Sequence, residues 1–297
     1  MKSKGQRISM EKPIFLPLCC FHHLNPIELM RQRYMTDWLK QKIKLGKTSL
    51  FVGRLGIGAS YGAPAEALEA AFEEGCNYFY WGALRNPKMA KAIRNIVAQG
   101  KRNGLVVALQ DFRRTASGVE KSLMRGLKSL GLDHVDILLL GWHNKPPRQK
   151  ILEVADKLRR SGAFRYLGIS SHNRALFADL LRDERYDIFQ FRYNAAHRGA
   201  EKDIFPYLPE RRPGTVAFQA TKRMTLVKSR KIPASEKRPS AGDCYRFALS
   251  NPTVDVVTMG PSKAEHIKEN LRNVAKGPMS AEELEWMRRI GDYVSNT

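Results

Sequence analysis

Short apolar runs alternate with amphipathic segments along most of this chain. The run Leu105–Gln110 precedes a segment in which Leu123, Leu127 and Leu130 recur at helical spacing, and Val135–Gly141 is again apolar. Short apolar runs separated by helical patterns are typical of buried parallel strands joined by crossover helices. The pattern therefore predicts an α/β fold.

Eight strand–helix units fit this pattern, and they predict a (β/α)8 barrel, the TIM barrel architecture. A doubly wound sheet is the alternative, but in Gly56–Gly62 the final glycine falls too late for the dinucleotide-binding fingerprint of that fold. The predicted strands are Leu55–Ala59, Asn77–Trp81, Leu105–Gln110, Val135–Gly141, Tyr166–Ser171, Asp187–Tyr193, Thr215–Ala220 and Val254–Gly260.

The N-terminal region differs from the rest of the chain. Residues 1–34 show no sustained period, and the segment from Met35 looks like a second start. We expect residues 1–34 to be a disordered extension or the product of a misassigned start codon. Gly46–Ser49 separates two β-rich runs and predicts a β-hairpin that plugs the bottom of the barrel. The prediction is a single (β/α)8 barrel domain over residues 35–297.

The chain is strongly basic, with 51 Lys and Arg against 29 Asp and Glu among 297 residues and a net charge of +22. Such a surface attracts phosphates, nucleic acids and acidic lipids. The basic residues are spread along the chain without a basic repeat or an aromatic RNA-binding motif, so a specific nucleic-acid module is not indicated. A positive cleft for a phosphorylated cofactor explains part of the excess.

Cysteine usage and hydropathy narrow the class of protein further. The four cysteines have no CxxC spacing, which predicts a reducing, cytoplasmic location. The segment Cys19–His23 holds metal-competent residues, but adjacent ligands suit a tetrahedral site poorly, so we predict no metal. The apolar stretch Ile14–Phe21 is too short to span a membrane and lacks a cleavage site, so we predict neither a membrane span nor a signal peptide.

The segment Leu249–Leu271 reads as a buried strand that runs into a helix N-terminus. Gly260–Pro261 ends the strand, and Ser262 is predicted to be the N-cap of the helix. Free backbone N–H groups and the charge of Lys263 would meet there, which favours an anion. An ordinary capped helix with a solvated lysine is the alternative. Similarly, the basic stretch Thr221–Arg238 is either a solvated loop or a lid over a phosphate group.

These residues and others resemble the aldo-keto reductase superfamily over roughly residues 46–275. The pattern G-x-S-K-x-x-x-I-x-E-N from Gly260 is similar to the C-terminal cofactor segment of that family, and Gly168–Asn173, Phe189–Asn194 and Val216–Phe218 are similar to three strand-end motifs. The resemblance implies an aldo-keto reductase-type barrel that binds NADP(H). It assigns the carboxamide to Ser170 and Gln190, nicotinamide stacking to Phe218, the 2′-phosphate to Ser262 and Lys263, and the adenine to Glu269 and Asn270.

The usual Asp, Tyr, Lys and His of the family are replaced. The family motif that carries Asp and Tyr corresponds here to Gly75–Arg85, with Tyr80 and Arg85 at those positions, while Lys and His correspond to Gln110 and Gly141. A redesigned site would use Tyr80 as proton donor, Arg85 to lower its pKa and His143 as a helper. The alternative is that Tyr80 only packs.

Three hypotheses about function follow. The main one is an NADP(H)-dependent oxidoreductase that acts on an aromatic or apolar carbonyl or alcohol, because Tyr78, Tyr80, Trp81 and Trp142 are expected to make the barrel mouth aromatic. The second is a catalytically inactive protein that senses NADP(H) or interacts with a partner. The third is nonspecific nucleic-acid binding through the basic surface. The sequence does not indicate an oligomeric state.

Overall fold

The computed structural model describes residues 38–58, 61–82, 86–209 and 211–295. The predicted extension over residues 1–34 lies outside them. The strands are β1 Ile43–Lys44, β2 Phe51–Val52, β3 Leu55–Gly58, β4 Tyr78–Trp81, β5 Val106–Asp111, β6 Val135–Leu140, β7 Phe164–Ser171, β8 Ile188–Arg192, β9 Gly214–Phe218 and β10 Val256–Met259. Eight of these, β3 to β10, are parallel and close a barrel in chain order within the described residues. The (β/α)8 prediction is confirmed.

Helices connect the barrel strands and cover their outer surface. Their bounds are α1 Ala65–Glu73, α2 Pro87–Ala98, α3 Ala116–Leu130, α4 Gln149–Arg160, α5 Ala175–Leu180, α6 Ala200–Asp203, α7 Thr225–Lys228, α8 Ala241–Leu249, α9 Ala264–Val274 and α10 Ala281–Ser295. Among the described residues, no helix is both long and apolar enough to cross a membrane.

The helix α3 shows how the sequence sets these elements. Thr115 precedes it, and the Thr115 hydroxyl accepts a hydrogen bond from the Gly118 N–H at 3.2 Å, which satisfies one free donor of the first turn. Gly131 ends the helix in the left-handed conformation, with φ 66°. The leucines predicted at helical spacing, Leu123, Leu127 and Leu130, are buried against the barrel.

Two apolar clusters separate the inside of the barrel from its outside. The larger cluster fills the space between strands and helices. The smaller one fills the barrel interior, where Tyr78, Ile137 and Ile188 pack above Leu45 and Leu50 of the hairpin segment. Because strand side chains alternate between two faces, β4 to β10 each contribute to both clusters, whereas β3 contributes only to the larger one and has Gly56 and Gly58 on its other face.

The antiparallel pair β1–β2 forms the predicted N-terminal hairpin. Its turn residue Gly46 has φ +54°, and a Cβ there would lie 2.2 Å from the Gly214 nitrogen, so only glycine fits. The buried Asp255 carboxylate accepts hydrogen bonds from the N–H groups of Gly46 at 3.1 Å and Thr215 at 3.0 Å. The hairpin is therefore held against the amino ends of the strands and leaves the carboxyl ends open.

Candidate active site

A layer of polar side chains lies inside the carboxyl end of the barrel. Tyr78 on β4 and Ile188 on β8 lie in the barrel interior. Since side chains alternate along a strand, the residue two positions later points the same way, one level nearer the opening. This rule brings together the residues that we call the polar layer: Tyr80 on β4, Gln110 on β5, Ser170 on β7 and Gln190 on β8.

Hydrogen bonds join the polar layer to the loop after β6. The Gln110 side-chain amide donates to the Ser170 hydroxyl oxygen at 2.9 Å, and the Trp142 backbone N–H donates to the same oxygen at 3.0 Å. The Gln190 amide forms a hydrogen bond with the Tyr80 phenol. Ser170 and Gln190 are direct partners in the β7–β8 register. The hydroxyl hydrogen of Ser170 therefore remains available to a ligand.

Two buried acceptors of this layer have no hydrogen-bond partner in the described part of the chain. They are the side-chain carbonyl oxygens of Gln110 and Gln190. A buried carbonyl without a partner costs about 1–3 kcal/mol of folding free energy. An uncompensated cost of this kind at the open end of a barrel indicates a site that is completed by the polar groups of a ligand.

The Tyr80 ring lies next to Gly82, where an added Cβ would approach the Tyr80 Cζ atom to 2.3 Å. Burial raises the pKa of the Tyr80 phenol, while the Gln190 hydrogen bond lowers it by a smaller amount. The phenol is therefore neutral at pH 7. The sequence predicts that Arg85 lowers this pKa, but Arg85 lies outside the described residues. The surroundings that are described raise the pKa instead.

The resemblance assigns the family's histidine to the position of Gly141, where the surroundings leave no room for a side chain. A Cβ at Gly141 would lie 2.6 Å from the Gln110 amide nitrogen and 2.8 Å from the Phe112 ring. Real Cβ atoms do not approach other atoms so closely, so a side chain at position 141 requires Gln110 and Phe112 to move. A histidine at position 141 would therefore clash with Gln110 in its present conformation.

His143 is buried beside the layer and is held by Arg114. The backbone N–H of His143 donates to the Ser170 backbone carbonyl at 2.9 Å, and the Arg114 guanidinium contacts the ring atom Nε2 of His143 at 3.3 Å. Because arginine only donates, Nε2 accepts and the ring hydrogen lies on Nδ1. Burial and the Arg114 charge lower the pKa of His143 to about 4. Among the described residues, no hydrogen bond joins His143 to Tyr80.

A row of aromatic rings crosses the mouth of the barrel. Phe112 contacts Trp142 with ring centroids 5.0 Å apart, Trp142 contacts His172 at 5.7 Å, and His172 contacts Phe218 at 5.5 Å. Trp142 is half exposed and has a left-handed backbone, with φ 50°. We call these four residues the aromatic row. Of the rings that we predicted at the mouth, Tyr78 and Trp81 are instead fully buried, Tyr78 deep in the barrel and Trp81 on the outer face of β4.

The predicted phosphate and adenine residues lie after β10. Ser262, Lys263 and Glu269 are exposed, whereas Asn270 is buried and its amide contacts the Met259 sulfur at 3.7 Å. The prediction that Ser262 is the N-cap is wrong. Lys263 occupies that position without a side-chain cap, and the Ser262 hydroxyl instead contacts the His266 Nδ1 atom at 3.2 Å.

Sequence reasoning missed two contributors to this end of the barrel. Gln110 was noted only as a lost lysine, although it is central to the hydrogen-bonded layer. Arg192, the last residue of β8, was not singled out. The signal for Arg192 was present, because it lies two positions after Gln190 and must share the face of Gln190.

Comparison with known proteins agrees with this architecture. The Aldo/keto reductase family profile matches residues 60–292. The chain is 24% identical to L-galactose dehydrogenase of Arabidopsis thaliana over 280 residues, which cover 78% of this chain and 87% of that protein. It is 21% identical to the uncharacterized oxidoreductase YqkF of Bacillus subtilis, covering 82% of this chain and 94% of that protein.

Solved structures show the same fold. The holo form of aldo-keto reductase AKR11C1 from Bacillus halodurans superposes with a TM-score of 0.70 at 22% identity, covering 84% of this chain and 96% of that one. The thermostable aldo-keto reductase Tm1743, solved with the inhibitor epalrestat, gives a TM-score of 0.68 at 21% identity, covering 84% and 99%. With its barrel, its plugging hairpin and the profile match over most of its length, the chain belongs to the aldo/keto reductase family.

Proposed function

We propose that this protein is an NADP(H)-binding oxidoreductase that interconverts a carbonyl compound and its alcohol. Members of the family generally bind NAD(P)H. The observation that carries the proposal is the pair formed by Ser170 and Gln190 on neighbouring strands. Ser170 has a hydroxyl hydrogen to donate, and Gln190 has a buried carbonyl oxygen without a partner among the described residues.

This pair fits the carboxamide of a nicotinamide ring. A carboxamide has one acceptor and one donor group, so Ser170 would donate to its oxygen and Gln190 would accept from its nitrogen. Phe218, at the end of β9, would stack on the nicotinamide ring. The His172 ring centroid lies 5.5 Å from that of Phe218, so His172 would either contact the nicotinamide as well or move away from Phe218. The Gln110 carbonyl oxygen is a second buried acceptor without a partner among the described residues, so the layer accommodates a second polar group.

The rest of the dinucleotide would run from β9 toward β10. Ser262 and Lys263 are exposed in the turn before α9, which supports their assignment to the 2′-phosphate, and Glu269 with Asn270 would face the adenine. We assign the pyrophosphate to the later basic residues of the stretch after β9, Lys228 and Arg230. The stretch begins with a left-handed turn at Lys222, Arg223 and Met224, with φ of 48°, 53° and 68°, and such strained turns occur at ligand-binding segments.

When bound, the nicotinamide supplies or accepts a hydride. Tyr80 is our proposed proton donor: the Gln190 amide donates to its oxygen, which leaves the phenol hydrogen free to reach a carbonyl oxygen in the same layer. We propose that Arg85 and His143 also contribute to proton transfer, and that His143 acts as a neutral ring held by Arg114. We expect an aromatic or apolar substrate, because the aromatic row borders the layer.

A catalytically inactive NADP(H) sensor is the second candidate, and one observation favours it. Tyr80, Gln110, Ser170 and Gln190 are neutral, and burial raises the pKa of Tyr80, so no charged group of the layer assists proton transfer. The cytoplasmic location remains a prediction.

NADPH titration by fluorescence tests the cofactor proposal. We expect saturable binding that weakens about tenfold in Ser170→Ala and in Gln190→Leu, since each change removes one hydrogen bond to the carboxamide. Arg160→Gln at the opposite end of the barrel is the matched surface control. Equal affinities of all four proteins would contradict the assignment of the carboxamide site.

Turnover separates the two candidates once binding is established. A panel of aromatic aldehydes and ketones is assayed with NADPH, first with the natural protein and then with Tyr80→Phe. Turnover that falls at least about a hundredfold in Tyr80→Phe supports the oxidoreductase with Tyr80 as donor. Tight NADPH binding without turnover on any member of the panel supports the sensor.

A further inference from the structure

Four basic side chains meet at the carboxyl ends of β7, β8 and β9. We call them the basic cluster: His172, Arg192, His197 and Arg223. Arg192 pairs with Phe218 in the β8–β9 register, and His172 follows Ser171, whose partner is Phe191, so His172 is level with Arg192. The contact of His172 with Phe218 passes across the end of β8. The cluster therefore borders the polar layer at its β8 side.

No acidic side chain compensates the two arginines of the cluster in the described part of the chain. Neither the Arg192 nor the Arg223 guanidinium forms a hydrogen bond or an ion pair there. The neighbouring Arg174 differs, because it contacts the Asp203 carboxylate at 2.7 Å. Arg192 is also partly buried, at a position where water does not fully replace a missing partner.

The titration of the neighbouring histidines reflects the same excess of positive charge. Burial, followed by the charges of Arg192, Lys222 and Arg174, lowers the pKa of His197 to about 4. Burial, Arg192 and Arg223 lower the pKa of His172. Within the described ranges, the charges that shift these two pKa values are all positive. Like charges held together in this way raise the free energy of the folded protein unless an anion joins them.

We propose that the basic cluster binds the carboxylate or phosphate group of the substrate, whose body lies along the aromatic row. The ligand class is then a carbonyl compound that carries an anionic group, and its assignment as substrate rests on the proposed function. Arg192 provides the planar donor pair that a carboxylate or phosphate matches. The carboxyl ends of barrel strands are the face on which ligands of this fold bind.

The phosphates of the cofactor are the other source of an anion, and the order of the strands argues against them. A dinucleotide that stacks on Phe218 and ends at Ser262 extends from β9 to β10. Arg192 and His172 lie on the other side of β9, two residues beyond the proposed carboxamide residues Gln190 and Ser170. An anion at Arg192 therefore comes from a second molecule.

Two ligands of nearly equal shape test the proposal: 4-formylbenzoate and its uncharged methyl ester. Their binding is measured by titration calorimetry with the full chain, alone and with saturating NADP+. We expect the natural protein to bind the carboxylate at least about tenfold more tightly than the ester, as for a hydrogen bond to a charged group. We expect Arg192→Gln to abolish that preference and Arg192→Lys to keep part of it.

Two further variants control for the change in net charge and for misfolding. Arg160→Gln makes the same change in net charge at the far end of the barrel, on the last residue of α4, and should keep the preference. Arg223→Gln changes an exposed side chain, so it should fold even if Arg192→Gln does not, and it should weaken carboxylate binding severalfold.

Three outcomes would overturn the inference: equal binding of the two ligands by the natural protein, a preference that persists in both Arg192→Gln and Arg223→Gln, or loss of carboxylate binding when NADP+ saturates the protein. The last outcome would assign the cluster to the cofactor. Failure of the cofactor proposal is seen separately, as absence of NADPH binding while the preference for the carboxylate persists.

Discussion

His143 should make the protein less stable in mild acid, and this effect can be calculated. Its pKa is about 4 in the folded protein, against about 6.5 in an unfolded chain. The unfolded chain therefore binds a proton more readily, so the free energy of unfolding falls as the pH drops from 6.5 toward 4. The linkage relation gives a loss of about 2 kcal/mol at pH 5 and almost none at pH 7.

The variant His143→Gln isolates this contribution. Glutamine places an amide oxygen near the position of Nε2, where it can accept from Arg114, but it does not titrate. Urea unfolding of both proteins at pH 8, 7 and 5 gives the comparison. We expect the natural protein to lose about 2 kcal/mol more than the variant between pH 7 and 5, and the two to change equally between pH 8 and 7. Equal losses at pH 5 would show that His143 is not held neutral.

Two further substitutions test the fold and the site. Gly82→Ala places a Cβ 2.3 Å from the Tyr80 Cζ atom and must displace the ring. We expect turnover, measured by steady-state kinetics, to fall about tenfold or more. NADPH affinity, measured by fluorescence, should change less. Asp136→Asn removes the charge of a buried carboxylate that lies 3.0 Å from the Arg102 guanidinium. We expect the free energy of unfolding, measured with urea, to fall by about 3 kcal/mol. Glu66→Gln, in an exposed ion pair, is its control and should leave the unfolding midpoint unchanged; a similar loss in both variants would contradict the buried-pair argument.

The sequence predicted the strands well because burial on both faces leaves continuous apolar runs. Val135–Gly141 was predicted and Val135–Leu140 is observed. The same apolar runs do not indicate which side chains point into the barrel and which point outward to the helices. Tyr80 and Trp81 were both assigned to the mouth, but they are neighbours on one strand and point to opposite faces.

The site was less predictable because its geometry depends on contacts between distant segments. Gln110 and Ser170 lie 60 residues apart, and closure of the barrel brings their side chains to 2.9 Å. The left-handed backbone of Trp142, which aims its N–H at Ser170, has no local sequence signal. Ser262 failed as an N-cap because its hydroxyl pairs with His266 and the helix begins two residues later, at Ala264. The preference of serine for the N-cap position is weak where another side-chain contact competes for its hydroxyl.

The resemblance to the family implies that the polar layer is neutral because two opposite charges were replaced together. It assigns the family's Asp and Lys to the positions of Tyr80 and Gln110, and Gln110 is 1% exposed. A single buried charge is expensive, whereas a buried pair compensates itself. Either charge restored alone should therefore destabilise the protein by about 3 kcal/mol or more.

The double variant Tyr80→Asp/Gln110→Lys should recover part of that loss. On neighbouring strands, the two positions are diagonal partners, since Tyr80 pairs with Ala108, and a lysine can span such a distance. Urea unfolding of the natural protein, the two single variants and the double variant gives a coupling energy, which we expect to be favourable by at least about 1 kcal/mol. Additive losses would mean that the two positions do not interact, and the layer would then be neutral for reasons unrelated to the pairing of Asp with Lys.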